Sequence, residues 1–301
     1  MAYLPLPKPL DRGARIGIFA LAGAPDPGRL QSGLEFLRAN GLVPVVADNL
    51  AMKTGYLAGD DESRIAGLCG LLDQGVDALL AARGGYGTMR VLETLPWPAL
   101  EAFNGWVIGF SDITALHAAL SRRGSVATLH GPAATALGRE GSTREALISW
   151  LRGSPPRPLF RIPRGGVLRS GMATGRAIGG NLSLLAALVG TEWEPDYAGA
   201  VLFIEEVGEP LFRLDRLLTQ LRLSSRLAAV HAIVAGSLFR CGRGEIDSHR
   251  RWLSLLAEVA PEGAVVVAGL PFGHGARNMP FPLGCPVTVD TAAGVVMVGG
   301  G

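Results

Sequence analysis

The chain has 301 residues, 48% of them hydrophobic and 18% charged, with a formal net charge of +2. So small a charge, with no lysine/arginine cluster, argues against a nucleic-acid partner, and the composition excludes a disordered chain. The length predicts two domains with a core each, and no apolar run is long enough to span a membrane.

Residues 1–10 are proline-rich and lack the apolar stretch of a signal peptide. Cys69, Cys241 and Cys285 fall at no disulfide or metal spacing, which fits reduced thiols in a cytoplasm. Residues 15–21 read as a first buried strand. Asp26 and Pro27 then open a helix, the aspartate as N-cap and the proline at the first helical position, and Asn40-Gly41 closes it. Residues 43–47 form a second strand, which Pro44 pushes toward a sheet edge. Asp60, Asp61 and Glu62 start the next helix, which runs through Ile65, Leu68, Leu71 and Leu72 to Gly75. Residues 77–82 are a third strand, ending in Arg83-Gly-Gly-Tyr-Gly87 and another helix. Residues 106–110 are a fourth, followed by Ser111 and a helix over 112–122, and 126–130 a fifth, followed by Gly131-Pro132. This alternation predicts a parallel sheet with helices on both faces, and ligands at the carboxyl ends of its strands.

The Pro/Gly-rich stretch 153–166 reads as a linker between an N-terminal α/β domain over 1–152 and a second domain over 167–301. In the second, strands at 173–179, 200–204, 232–235 and 265–268 alternate with helices over 181–189, 211–221 and 247–260. Residues 287–298 form a hairpin turning near Gly294. This half is expected to be a smaller, mixed α/β domain with a partly antiparallel sheet.

Four features carry chemistry. Ser111 sits on a strand-to-helix turn, where a hydroxyl is held above the sheet beside helix amides able to stabilise an anion. The run Gly109-Phe-Ser111-Asp-Ile113 lacks the second glycine of a full nucleophile elbow, and the alternative is that Ser111 only caps its helix. Arg83-Gly-Gly-Tyr-Gly87 has three readings: a phosphate cradle, one half of an oxyanion hole with the Asp112 amide, or a tight turn. Glu205 and Glu206 end an apolar strand on opposite faces, as a cleft-facing acid and its neighbour or as a strand running out into solvent. His274 lies between glycines in a loop after a strand, as a general base often does. His117, on a helix, and His249 are weaker candidates, and His130 could line the same cleft. Ser111, Glu205 and His274 make a nucleophile, orienting acid and base in that order, and no metal spacing competes with them.

Ala82-Arg-Gly-Gly-Tyr-Gly87, Gly109-Phe-Ser-Asp-Ile-Thr-Ala-Leu-His117, His130-Gly-Pro132, Gly179-Gly-Asn-Leu182, the Glu205 stretch, Asp215-Arg-Leu-Leu-Thr-Gln-Leu221 and Gly273-His-Gly-Ala-Arg-Asn278 together resemble the LD-carboxypeptidase family of serine peptidases. The resemblance covers residues 15–298 in the family's order. It implies an N-terminal domain related to class I glutamine amidotransferases and a smaller β-rich α/β C-terminal domain that carries the acid and base. It further implies Ser111 as nucleophile, His274 as base, Glu205 as its orienting acid, and the amides of Gly85 (or Gly84) and Asp112 as oxyanion hole. Members remove the terminal D-alanine of murein tetrapeptides after meso-diaminopimelate in cell-wall recycling, with no cofactor or metal. One branch instead hydrolyses microcin C-type peptidyl adenylates, for which Trp150 would be the adenine-stacking candidate. The resemblance also implies a homodimer. Arg83, Tyr86, Asn181 and Arg213 are the expected substrate contacts, Arg83 first because the substrate is rich in carboxylates. The sequence departs from the family at Ala133, where methionine is common, and at Glu206, where aspartate is. A non-catalytic protein that binds an acidic ligand is the competing class.

Overall fold

The computed structural model describes residues 3–299. The chain folds as two compact units: Leu4–Pro155 together with Met279–Pro282, and Pro156–Asn278 with the chain from Leu283 on. The break falls inside the stretch read as a linker, and that stretch is not wholly a connector, since Phe160–Arg161 is a strand of the second unit. Among the described residues no helix is long and apolar enough to cross a membrane.

In the first unit the strands are β1 (Arg15–Phe19), β2 (Val43–Val46), β3 (Ala78–Ala81), β4 (Trp106–Gly109) and β5 (Thr128–His130). They pair in parallel in the order β5-β4-β3-β1-β2. Helices α1 (Pro27–Ala39), α2 (Asp61–Asp73), α3 (Thr88–Val91), α4 (Trp97–Ala102), α5 (Thr114–Arg123) and α6 (Ser142–Leu151) connect and cover them. The expected caps form: the Asp26 carboxylate accepts from Arg29 N at 2.8 Å and that of Asp60 from Ser63 N at 2.8 Å. The central strands β3 and β4 are buried throughout, as a sheet covered on both faces requires, whereas β2 lies at the edge with Val43 and Val46 exposed. β3 and β4 are adjacent and in register, Ala78 opposite Trp106 and Leu80 opposite Ile108. The loops that follow them, with Arg83–Gly87 and Ser111, therefore emerge side by side.

The second unit holds β6 (Phe160–Arg161), β7 (Val167–Arg169), β8 (Met172–Asn181), β9 (Ala200–Val207), β10 (Ala232–Phe239) and β11 (Val265–Ala268). The chain then gives β12 (Phe281–Leu283) to the edge of the first sheet beside β5, and returns for β13 (Pro286–Asp290) and β14 (Val295–Val298). The order is β6-β14-β13-β8-β9-β10-β11-β7, with β8 to β11 parallel and the flanking pairs antiparallel. The sheet is partly antiparallel as expected. It is not the smaller one: among the described residues eight strands stand against six. Helices α7 (Leu182–Ala187), α8 (Leu211–Leu223) and α9 (Ser248–Val259) pack Leu185, Leu214, Leu218, Leu221, Trp252 and Leu256 against Leu202, Ile204 and Ile233. Burial of each of these side chains contributes about 1.5–3 kcal/mol, which anchors the ends of β8 and β9, where Asn181 and the two acids lie.

Candidate active site

In the first unit, Ser111 follows β4 at the start of a short 3₁₀ turn, Ser111–Ile113, that runs on into α5. Its φ is +62°, a left-handed conformation that a serine adopts at a cost of about 1–2 kcal/mol. The cap position of this turn belongs to Phe110, so Ser111 is not the N-cap that the alternative reading required. The glycine loop after β3 lies directly over it. A Cβ built on Gly84 would stand 2.8 Å from Ser111 Cβ, 3.1 Å from its Oγ and 3.5 Å from Asp112 N. Only a residue without a side chain allows that approach.

Two buried polar groups fix this arrangement. The Asp112 carboxylate accepts the Thr88 amide at 2.8 Å, tying the glycine loop to the turn that Ser111 begins, and burial pushes its carboxyl up from the ordinary range. Arg64, fully buried on α2, donates to the Leu21 and Gly87 carbonyls and pairs with Asp61 at 2.5 Å. It clamps the loops that follow β1 and β3. Arg64 was not singled out in the sequence; the available signal was an arginine one position before Ile65 on an otherwise apolar helical face. His117 is also buried and structural. Its Nε2 bonds the Gly109 carbonyl at 2.9 Å, two residues before Ser111, and burial lowers its pKa to about 4. His130 is buried between Phe281, stacked at 4.5 Å, and Phe110, edge-on at 6.0 Å. Trp150 lies in the core against Trp106 and is 1% exposed, so it is unavailable for stacking on a nucleobase. Arg83 and Tyr86 are exposed; Arg83 Nη1 donates to the Ala24 carbonyl at 3.1 Å, and Tyr86 meets Tyr56 edge-on at 5.7 Å.

In the second unit, β9 continues through Val207, and Glu205 and Glu206 are both buried, 1% and 2% exposed. The reading of a strand running out into solvent is thereby overturned. Glu205 Oε2 accepts from His274 Nδ1 at 2.6 Å and from the His274 backbone amide at 3.2 Å. The histidine loop is braced by Gly273 N to Asn278 Oδ1 at 2.9 Å and by Gly275 N to Ser237 Oγ, on β10, at 2.9 Å. Asn181 stands opposite Glu205 in the β8–β9 register. Its Nδ2 donates to Glu206 Oε1 at 2.8 Å and Glu205 Oε1 at 3.3 Å, while its Oδ1 caps α7 through Leu184 N at 3.3 Å. Asn181, expected at the substrate, is buried and links the two acids. Glu206 also accepts the Ser183 and Val207 amides, each at 2.8 Å, and burial raises its pKa despite these donors. Arg213, on α8, is half exposed and pairs with Glu209 at 3.0 Å.

The two units thus hold a strained serine under a glycine loop and a buried carboxylate–imidazole pair. Among the described residues no group of three or more His, Cys, Asp or Glu is placed to hold a metal ion.

Comparison with known proteins supplies the family. Residues 16–131 match the LD-carboxypeptidase N-terminal domain and residues 174–289 the LD-carboxypeptidase C-terminal domain. The murein tetrapeptide carboxypeptidase of Pseudomonas aeruginosa is 34% identical over 299 residues, 92% of each chain. The crystal structure of a muramoyltetrapeptide carboxypeptidase from Oxalobacter formigenes aligns with a TM-score of 0.84 at 26% identity, covering 95% of this chain and 98% of that one. The microcin C7 self-immunity protein MccF, solved with aspartyl sulfamoyl adenosine, shares the fold with a TM-score of 0.85 at 24% identity, covering 100% and 99%. With both domain models matched in order along the chain, this protein belongs to the LD-carboxypeptidase family.

Proposed function

We propose that the protein is a serine LD-carboxypeptidase that releases the terminal D-alanine of a murein tetrapeptide, cleaving after the L-centre of meso-diaminopimelate in cytoplasmic cell-wall recycling. The observation that carries this reading is the 2.6 Å pair of Glu205 Oε2 with His274 Nδ1. A buried carboxylate that accepts the Nδ1 proton selects the tautomer whose Nε2 lone pair takes a proton.

In the proposed reaction His274 Nε2 removes the Ser111 proton as Oγ attacks the scissile carbonyl. The amides of Gly85 and Asp112 receive the oxyanion. Collapse breaks the C–N bond, and the imidazolium returns its proton to the amine of D-alanine. Water, activated by the same nitrogen, then hydrolyses the acyl-serine. Arg83 and Tyr86 contact the peptide.

Mass spectrometry of L-Ala-γ-D-Glu-meso-diaminopimelate-D-Ala with wild type and Ser111→Ala tests this. Loss of one alanine with wild type alone supports the reading. Turnover only of a peptidyl adenylate would move the assignment to the other branch of the family, and equal turnover by both proteins would remove Ser111 from the mechanism.

A further inference from the structure

The first unit buries a whole positive charge against the glycine loop. Arg64, on α2, is 0% exposed, and its guanidinium reaches three segments at once. Nη1 donates to the Leu21 carbonyl, in the loop after β1, and to the Gly87 carbonyl, in the loop after β3, the latter at 2.9 Å. Nη2 pairs with Asp61 at 2.5 Å, and Asp61 in turn holds Arg90 of α3 through Nε at 3.1 Å and Nη2 at 2.9 Å. Among the described residues Nε has no partner. An arginine taken out of water with one donor unmet is a poor source of stability, because desolvation offsets the attraction to its acid. What such a group supplies is geometry: a planar fork with donors in fixed directions holds its acceptors at fixed separations.

Each carbonyl leads to one of the amides assigned to the oxyanion. Leu21 is two residues before Gly23, whose amide donates to the Gly84 carbonyl at 3.2 Å. The Gly84–Gly85 peptide is trans and planar, so this bond sets its plane and turns the Gly85 N–H away from Gly23. Gly87 precedes Thr88, whose amide donates to the Asp112 carboxylate at 2.8 Å, and the backbone amide of Asp112 is the second donor. The packing along both routes is tight. A Cβ built on residue 87 would stand 2.8 Å from Arg64 Nη1 and 3.2 Å from the Leu21 carbonyl oxygen, and one built on residue 84 would stand 2.8 Å from Ser111 Cβ. A displacement of the guanidinium is therefore passed to the peptide planes beside Ser111.

We propose that Arg64 is a positioning residue for the reaction: its fork holds the Gly85 and Asp112 amides in the orientation that receives the oxyanion before the serine attacks. The inference rests on the serine LD-carboxypeptidase reading above. Donors moved by a fraction of an ångström stabilise the transition state less and bind the ground state no differently, so losing the fork lowers kcat and leaves KM.

The test measures release of D-alanine from the tetrapeptide by wild type, Arg64→Ala and Arg64→Lys, at a temperature where circular dichroism finds each folded. Arg64→Ala should lose about 100-fold in kcat with KM within about 3-fold. Millimolar guanidinium ion should recover about 10-fold of that loss by refilling the vacated site, and urea at the same concentration should recover none. Arg64→Lys keeps the buried charge beside Asp61 but not the planar fork, and should lose about 10-fold in kcat. It carries the test where the alanine variant does not fold. Unchanged kcat in either folded variant, a loss that lies wholly in KM, or no response of Arg64→Ala to guanidinium overturns the role, while turnover by wild type leaves the carboxypeptidase reading standing. Failure of both variants to fold assigns Arg64 to the fold instead. Absence of turnover by wild type overturns the carboxypeptidase reading, and the role of Arg64 with it.

Discussion

Gly273 lies so close to Glu205 that a Cβ on residue 273 would stand 2.6 Å from the carboxylate oxygen that holds His274. Its φ of +95° adds a conformational demand that other residues meet poorly. Gly273→Ala should therefore displace Glu205 from the imidazole. We expect kcat to fall about 100-fold or more with KM within about 3-fold, and stability to fall by about 2 kcal/mol. Steady-state kinetics and denaturant unfolding check both, and an unaltered kcat would show that the Glu205–His274 contact is dispensable.

Ser111 at φ +62° is a site where function and stability should oppose each other. Glycine adopts that conformation without the Cβ clash. Ser111→Gly should stabilise the protein by about 1 kcal/mol while abolishing turnover. Urea midpoints measure it. A less stable variant would mean that the serine side chain contributes more to the fold than its backbone costs.

Much of this was legible in the sequence because the signals are local. Asp26 and Asp60 announced their helices, Pro44 its edge strand, and the apolar runs at residues 77–82 and 106–110 their strands. Those strand ends placed Ser111 and the glycine loop together. What was not legible depends on distant pairing. Nothing in Phe281–Leu283 says that the chain returns to the edge of the first sheet, and two-residue Phe160–Arg161 becomes a strand only because β14 is there to receive it. The acids were read as ending β9, whereas the strand continues to Val207 because Asn181 and the Ser183 amide satisfy them inside. Strand parity left Glu205 and Glu206 equivalent; the His274 loop distinguishes them.

Glu206 and Asn181 should act on the reaction through Glu205. Glu206→Ala leaves the Ser183 and Val207 amides and one Asn181 N–H without their acceptor. Stability should fall by about 2–4 kcal/mol, with Glu206→Asp retaining more than half of it. If Asn181 transmits the effect, Glu206→Ala and Asn181→Ala will be non-additive in kcat in a double-mutant cycle. Full additivity would show the two side chains to be independent.

His117 gives the fold a pH dependence of known sign. Its pKa is about 4 in the folded chain against an ordinary 6.5, because the ring is buried. Between those values the unfolded chain binds the additional proton. The stabilising contribution is therefore complete above pH 6.5 and is lost as pH falls toward 4, by about 3 kcal/mol in all. His117→Gln, which keeps a donor for the Gly109 carbonyl, should flatten the Tm profile across that window. An unchanged slope would assign the acid sensitivity to other groups.

The central claim, that Ser111 is a nucleophile activated by His274, is tested most directly by active-site labelling. Wild type, Ser111→Ala, His274→Ala and Glu205→Gln are each incubated with a fluorophosphonate and followed by intact mass and peptide mapping. The account predicts one adduct on wild type, mapped to Ser111, none on Ser111→Ala, and labelling slowed about 100-fold or more in the His274 and Glu205 variants. Labelling at another residue, or at Ser111 with equal speed in folded His274→Ala, would contradict it.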